Sequence, residues 1–165
     1  MAISLRGAFY GGFAAAACIG LFLLWLWRPE RQIRRHTQNL LYAVEHKDWP
    51  ATGSFLAGDY YDQWADDRTR VLERMHEGFQ YVRSVKMSSF SVSVQVHQRH
   101  AEWSGRIWID GDQSEVMELL KEKVNSLPTP FELEWRRLSR KPWDWKLVRV
   151  RNSALELPLE PADVN

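Results

Sequence analysis

The stretch Phe90-Ser91-Val92-Ser93-Val94-Gln95-Val96-His97 alternates apolar and polar side chains without a break. Successive side chains of a β-strand point to opposite faces, so this pattern predicts a strand with one buried face. Residues 101–110 form a second alternating run, with Trp103, Ile107 and Ile109 on one face and polar side chains on the other. Because the link between the two runs is short, we expect them to pair as an antiparallel hairpin.

Helices and a second hairpin are predicted on either side of this first hairpin. Residues 113–127 have the amphipathic pattern of a helix, which ends at the prolines at 128 and 130. Apolar and polar side chains then alternate in residues 131–138 and 143–152, on either side of a turn. Before the hairpin, the sequence predicts a helix from Pro29 that Trp49-Pro50 stops, a short helix capped by Asp48 that runs to Leu56, and a helix over about residues 67–78. Three helices, a hairpin, a connecting helix and a closing hairpin predict an α+β fold.

Three segments resemble the nuclear transport factor 2-like superfamily, which includes the SnoaL-like and ketosteroid-isomerase-like proteins. They are residues 43–49 (AVEHKDW), residues 55–60 (FLAGDY) and the tryptophan-containing end at residues 143–150 (WDWKLVRV). The resemblance covers about residues 30–152 and implies a cone, in which a curved antiparallel sheet wraps around the first helices and encloses a pocket. Members include isomerases, cyclases, dehydratases, transport factors and anchored subunits of secretion machines, so the fold alone does not select a function.

The amino-terminal segment predicts a single-pass transmembrane anchor. Residues 7–27 contain no charge, and 21 residues of helix span about 30 Å, the thickness of a bilayer core. Trp25 and Trp27 precede Arg28 at one end, where indole rings favour the membrane interface. A cleaved signal peptide, or lipidation at Cys18, is the alternative interpretation. The predicted domains are the anchor at 1–28, the α+β domain at 29–152 and a loose tail at 153–165.

Small residues in the anchor favour pairing of membrane helices. Gly7 and Gly11 are four residues apart, as are Gly12, Ala16 and Gly20, and this spacing lets two helix backbones approach closely. The expected partners are therefore the membrane itself and either further copies of this chain or other subunits of a membrane complex.

Four arginines follow the anchor: Arg28, Arg31, Arg34 and Arg35. Counted by the positive-inside rule, they place the folded domain on the cytoplasmic side of the cell membrane. They are also candidates for binding anionic lipid headgroups. Alternatively, they belong to the solvated face of the first domain helix.

Charge and composition argue against several function classes. Arg6 is the one charge in residues 1–27, so the other 138 residues carry 21 basic and 21 acidic side chains. That balance argues against nucleic-acid binding, although basic and aromatic residues cluster at 135–145. The single cysteine and the isolated pair His97 and His100 predict no metal site. No cofactor is expected.

The residues predicted to face the inside of the cone include no ionisable group. They are Phe90, Val92, Val94, Val96, Trp103, Ile107, Phe131, Leu133 and Trp135. Isomerase or dehydratase chemistry needs an ionisable group there, and no catalytic residue is predicted. Tyr42, Asp59, Tyr60 and Tyr61 come from helices and loops that would border the mouth of a pocket, although such residues are more often core or cap residues.

The sequence therefore favours a non-enzymatic interaction or scaffold subunit of a bacterial-type envelope assembly, attached to the membrane by its anchor. The alternative is a pocket that binds or converts a small apolar molecule, in the manner of an isomerase or cyclase.

Overall fold

The structure is a computed structural model that describes residues 15–20, 22 and 28–155. From residue 28 onward the helices are α1 (Pro29–Glu45), α2 (Trp49–Phe55), α3 (Arg68–Phe79) and α4 (Glu115–Asn125), and the strands are β1 (Val85–His97), β2 (His100–Gly111), β3 (Phe131–Arg137) and β4 (Trp145–Arg151). The predicted α+β order of elements is confirmed.

The predicted anchor falls largely outside the described residues. Residues 15–20 and residue 22 are helical, and the rest of residues 1–27 is not described. In the described part of the chain, no helix is both long enough and apolar enough to cross a bilayer.

The strands form one antiparallel sheet in the order β1-β2-β3-β4. β3 pairs with β2 only between His100 and Gly105, so the second half of β2 lacks a strand neighbour on that side. Asn125 of α4 takes this place, because its side chain accepts from the N–H of Ile109 and donates to the Ile109 carbonyl, both at 2.8 Å. The helix that connects the two hairpins thus satisfies the backbone groups of Ile109 in the unpaired half of β2.

A bulge in β1 changes which of its side chains face the core. Phe90 pairs with Arg106 and Ser93 with Ser104, so β1 carries one extra residue between these pairs, and Ser91 has a φ of 52°. Phe90 consequently lies on the outer face, 45% exposed. The prediction that Phe90 faces inward was wrong, because alternation that continues across a bulge does not keep its parity.

α1 lies antiparallel to the edge strand β1 and bonds to its free backbone. Arg34 Nη2 donates to the Val92 carbonyl at 3.1 Å, and the Met87 N–H donates to Glu45 Oε2 at 3.0 Å. Unpaired edge strands invite pairing with another chain, and polar side chains that engage the edge prevent it. These contacts also fix α1 across the inner side of the sheet.

The main core lies between α1 and the inner face of the sheet. Its buried residues include Ile33, Leu40 and Val44 of α1 and Trp103, Leu133, Trp135, Trp145 and Leu147 of the strands. A second apolar cluster lies under α4, where Met117 packs with Val82, Val85 and Ile109.

Asn152 holds the end of the domain together. Its side chain is buried, donates from Nδ2 to the carbonyls of Thr129 (3.1 Å) and Pro130 (3.2 Å), and accepts at Oδ1 from the N–H groups of Ala154 and Leu155, both at 2.9 Å. Residues 153–155, the start of the predicted loose tail, are therefore bonded to the domain. Residues 156–165 are not described.

We expect Asn152→Ala to lower the free energy of unfolding by about 3 kcal/mol, because several buried polar groups lose their partner at once. Urea denaturation of the full chain measures this. Asn39→Ala, at an exposed position of α1, is the control and should change stability by no more than about 0.5 kcal/mol. Equal midpoints for the two variants would contradict the assigned role of Asn152.

Candidate functional site

Three tryptophans fill the inside of the cone. Trp103 of β2, Trp135 of β3 and Trp145 of β4 are 1%, 0% and 1% exposed and belong to the core cluster that packs on α1. In the nuclear transport factor 2-like resemblance this is the region where a pocket is expected. Here the chain's own side chains occupy it.

Gly105 gives Trp103 the space that its ring needs. A Cβ placed on Gly105 would lie 2.7 Å from Cη2 and 2.8 Å from Cζ2 of Trp103, closer than real contacts allow. The indole therefore lies over the backbone of its own strand, two residues further along. A residue with a side chain at position 105 would force the ring out of this place.

Two buried polar atoms in this region have no hydrogen-bond partner among the described residues. They are Oγ1 of Thr37, on α1, and Nε1 of Trp135, on β3. The His36 ring lies edge-on to the Trp135 ring, with 5.9 Å between the ring centroids. Buried polar groups normally have partners, so these two are the atoms of the core that a small polar molecule would satisfy.

The four residues predicted at a pocket mouth have different surroundings. Tyr42 is exposed on α1 and stacks on His46, with ring centroids 3.9 Å apart. Asp59, Tyr60 and Tyr61 lie together in the loop after α2, but Tyr60 is 3% exposed and faces the core while Tyr61 is exposed.

Asp59 forms an ion pair at the surface. Arg136 Nη2 donates to its two carboxylate oxygens at 2.6 and 2.8 Å. These hydrogen bonds hold the pKa of Asp59 below its ordinary value. The pair joins the α2–α3 loop to β3, so a structural role accounts for Asp59.

A buried acidic network follows directly after these residues. Asp62 Oδ1 accepts from the N–H groups of Trp64 (2.9 Å) and Asp66 (3.0 Å), and the Tyr60 hydroxyl lies 3.4 Å from Asp62 Oδ2. Asp66 in turn accepts from Arg74 Nη1 of α3 at 3.0 Å. Sequence reasoning did not single out either aspartate, although two aspartates four residues apart in a loop were the available signal.

Burial governs the electrostatics of this network. Asp62 is 4% exposed, and desolvation raises its pKa, against the opposing effect of its two backbone hydrogen bonds. Burial together with the nearby Asp62 charge also raises the pKa of the Tyr60 hydroxyl far above its usual value. A carboxyl group with a raised pKa beside a tyrosine is suited to donating a proton, but here both groups are closed off from solvent. The network fixes the loop.

The two histidines considered as metal ligands lie at a hairpin turn. His97 and His100 face each other across the two-residue turn of the first hairpin. Within residues 15–20, 22 and 28–155, no group of three histidine, cysteine, aspartate or glutamate side chains could hold a metal ion.

The arginines after the predicted anchor start the folded domain. Arg28 is the residue before α1, and Arg31, Arg34 and Arg35 lie on its exposed side, where Arg34 bonds to β1. Arg34 thus has a role inside the fold. Lipid binding by these arginines stays a prediction.

Of the helix-pairing set, only part can be located. Ala16 and Gly20 lie in the described helical stretch, and Gly7, Gly11 and Gly12 lie outside the described residues. Pairing through these positions also stays a prediction.

Comparison with known proteins identifies the fold. No protein-family model matches the sequence, and no curated protein matches it. Among solved structures, a candidate dehydratase of the NTF2-like family from Streptomyces avermitilis has a TM-score of 0.56 and 16% identity, over 74% of this chain and 93% of that protein. The fold is nuclear transport factor 2-like.

Two further similar structures show how widely this fold is used. A candidate aromatic ring hydroxylase from Novosphingobium aromaticivorans has a TM-score of 0.57 and 12% identity, over 73% of this chain and 85% of that one. Bd1075 of Bdellovibrio bacteriovorus has a TM-score of 0.59 and 8% identity, and the match covers 76% of this chain but 41% of Bd1075. At these identities the likeness establishes the fold and leaves the function to the site.

We expect Asp62→Asn to remove a pH-dependent destabilisation. Because burial raises the pKa of folded Asp62 above 3.8, the folded state holds this proton to higher pH than the unfolded state does. The stabilisation that Asp62 contributes to the wild type is therefore fully present below pH 3.8 and is lost as the pH rises through the pKa of folded Asp62. The side-chain oxygen of asparagine still accepts from the N–H groups of Trp64 and Asp66, but asparagine has no charge to bury.

Urea denaturation from acidic to neutral pH measures the difference between Asp62→Asn and the wild type, which should grow in favour of the variant as the pH rises. Asp59→Asn is the matched contrast, because the lowered pKa of Asp59 predicts the opposite slope. Parallel stability curves for the wild type and Asp62→Asn would contradict the burial of an ionisable carboxyl.

Proposed function

We propose that this chain is a membrane-attached, non-enzymatic interaction subunit whose cone domain works through its surface. The observation that carries the proposal is the filling of the cone by Trp103, Trp135 and Trp145, each at most 1% exposed. Ligand and substrate sites are normally concave and preformed, and this core leaves such a site no room between the sheet and α1.

The chemistry of the core supports the same proposal. Tyr60 is the ionisable member of the main core cluster in the described residues, and its hydroxyl is directed to Asp62. General acid–base catalysis needs a titratable group within reach of a substrate. Tyr60 and Asp62 are both buried, so neither can reach one.

Attachment to the membrane rests on the sequence. The uncharged run at residues 7–27 has the length of a bilayer-spanning helix, and the folded domain begins directly after it. The small-residue spacing in this run favours assembly with a second copy or with another membrane subunit of an envelope complex. We expect the domain on the cytoplasmic side.

A second candidate is a small-molecule site inside the cone. The unpartnered Thr37 Oγ1 and Trp135 Nε1 favour it, since each leaves a buried polar atom free to bind a polar molecule admitted to the core. The candidate dehydratase and ring hydroxylase among the similar structures give this fold a precedent for such a role. This candidate requires the tryptophans to move apart, so we place it second.

Crosslinking of the full chain in its native membranes tests the first proposal. We expect a crosslinked product larger than the monomer. If the product is a self-complex, Gly12→Leu with Gly20→Leu should reduce it, because larger side chains keep the helix backbones apart. Ala14→Leu with Cys18→Leu, two small residues on another side of the predicted helix, is the matched control. A chain that is always monomeric and without partners would contradict the proposal.

A further inference from the structure

Three basic segments of the chain meet at one end of the domain. They are residues 28–36 at the start of α1, residues 97–100 in the β1–β2 turn and residues 137–144 in the β3–β4 hairpin, and together we call them the basic end. In the sequence they are far apart. Their proximity follows from backbone contacts and from the direction of α1.

Two contacts tie the β3–β4 hairpin to the other segments. The Arg137 N–H donates to the Arg99 carbonyl at 2.8 Å, which joins this hairpin to the β1–β2 turn. Nε2 of His36 lies 3.0 Å from the Trp143 carbonyl, which joins the same hairpin to α1.

The antiparallel packing of α1 on β1 places the start of α1 beside the β1–β2 turn. Arg34 contacts Val92 and Glu45 contacts Met87. Eleven helical residues and five strand residues both span about 16 Å, so the two contacts are the same distance apart along the helix as along the strand. The six residues from Arg34 back to Arg28 span about 9 Å, which corresponds to about three strand residues beyond Val92. Arg28 therefore lies close to the turn at 97–100.

The charge of the basic end differs from that of the rest of the chain. Its segments hold eight lysines and arginines and two acidic residues, Glu30 and Asp144, a net charge of +6 with histidine neutral. Since the whole chain has a net charge of +1, the remainder carries −5. The segments of the basic end thus carry a net positive charge that is not evident from the overall composition.

Exposed apolar side chains accompany these charges. Leu138 is 48% exposed and Trp143 is 53% exposed, on either side of the exposed Arg140 and Lys141. Tryptophan beside lysine and arginine is typical of surfaces that rest at the boundary between lipid headgroups and acyl chains.

We propose that the basic end binds the anionic phospholipid surface of the membrane in which residues 7–27 are anchored, an inference that rests on the proposed membrane attachment. The apolar run ends at Trp27 and the basic end begins at Arg28, so the bilayer is the surface closest to it. Each basic side chain near an anionic surface strengthens binding about fivefold, and several act together. The domain then stands with its two hairpin turns against the lipid and with the starts of β1 and α4 away from it.

This arrangement favours lipid over nucleic acid or an acidic protein. Those partners would have to enter the narrow space between the domain and the bilayer, and they would compete with headgroups already present there. The lipid surface needs no additional partner to reach it.

The test uses the full chain, reconstituted in vesicles of phosphatidylcholine alone or of phosphatidylcholine with phosphatidylglycerol. Leu138→Cys in a Cys18→Ser background carries an environment-sensitive fluorophore at the basic end. We expect its emission to shift to the blue and intensify only in the anionic vesicles, and the effect to weaken at high salt.

Replacing three exposed basic residues of this end, Arg35→Gln with Arg140→Gln and Lys141→Gln, should weaken docking about 100-fold. The matched control has the same change in charge at exposed positions elsewhere, Arg83→Gln with Lys86→Gln and Lys123→Gln, and should dock as the wild type does. Retention of the chain on neutral vesicles after an alkaline wash reports separately on the anchor.

The outcomes separate the two proposals. A chain that stays in neutral vesicles but gives the same emission in both lipids overturns lipid docking and leaves membrane attachment standing. A chain that washes off neutral vesicles but docks on anionic ones supports lipid docking and overturns the anchor. Equal loss of docking in the two triple variants, or a fluorophore that responds to an acidic protein or an oligonucleotide and not to lipid, overturns the assignment of this end to lipid.

Discussion

The packing of three tryptophans between the sheet and α1 is the interaction on which the rest of the structure depends. Each buried indole removes roughly 200 Å² of mostly apolar surface from water, which stabilises the fold by about 5 kcal/mol before the cost of ordering the chain is counted. Trp103, Trp135 and Trp145 come from three neighbouring strands, so their packing joins these strands and α1 in one core. Gly105 contributes by leaving space above β2 for Trp103.

Filling the core in this way moves the functional question to the surface. In a cone with an empty interior, the inner face of the sheet would carry the chemistry. In this protein the inner face is occupied, and the buried acids Asp62 and Asp66 are used to close a loop against α3. The chemically distinctive feature that remains in the described residues is the concentration of positive charge at the basic end, formed by the start of α1 and the two hairpin turns.

Local patterns in the sequence predicted most of the fold. The alternation after residue 90 and the run of apolar residues after Pro29 are enforced by burial, and Asp48 caps α2 as expected, accepting from the Ala51 N–H at 3.0 Å. The orientation of Phe90 was not predictable from alternation, because the bulge at Ser91 inserts one extra residue and exchanges the faces on its two sides. The role of Asp62 had only a weak signal, a second aspartate four residues on, because its hydrogen bonds to Tyr60, Trp64 and Asp66 form only when this loop folds back on itself.

The basic end shows a further limit of sequence reasoning. The arginines after residue 27 and those after residue 136 were each visible as clusters, but their meeting depends on the direction in which α1 crosses the sheet. Counting charge over the whole chain concealed it, because acidic residues elsewhere balance the total.

Xenon binding followed by NMR tests the filled core most directly, because xenon enters dry apolar cavities and is insensitive to surface charge. For the full chain, the tightly packed tryptophans predict a xenon signal that changes linearly with protein concentration and shows no saturable site. Trp103→Leu, which opens space over Gly105, should create such a site. A saturable xenon site in the unaltered protein would contradict the filled core and would favour the small-molecule function over the interaction function.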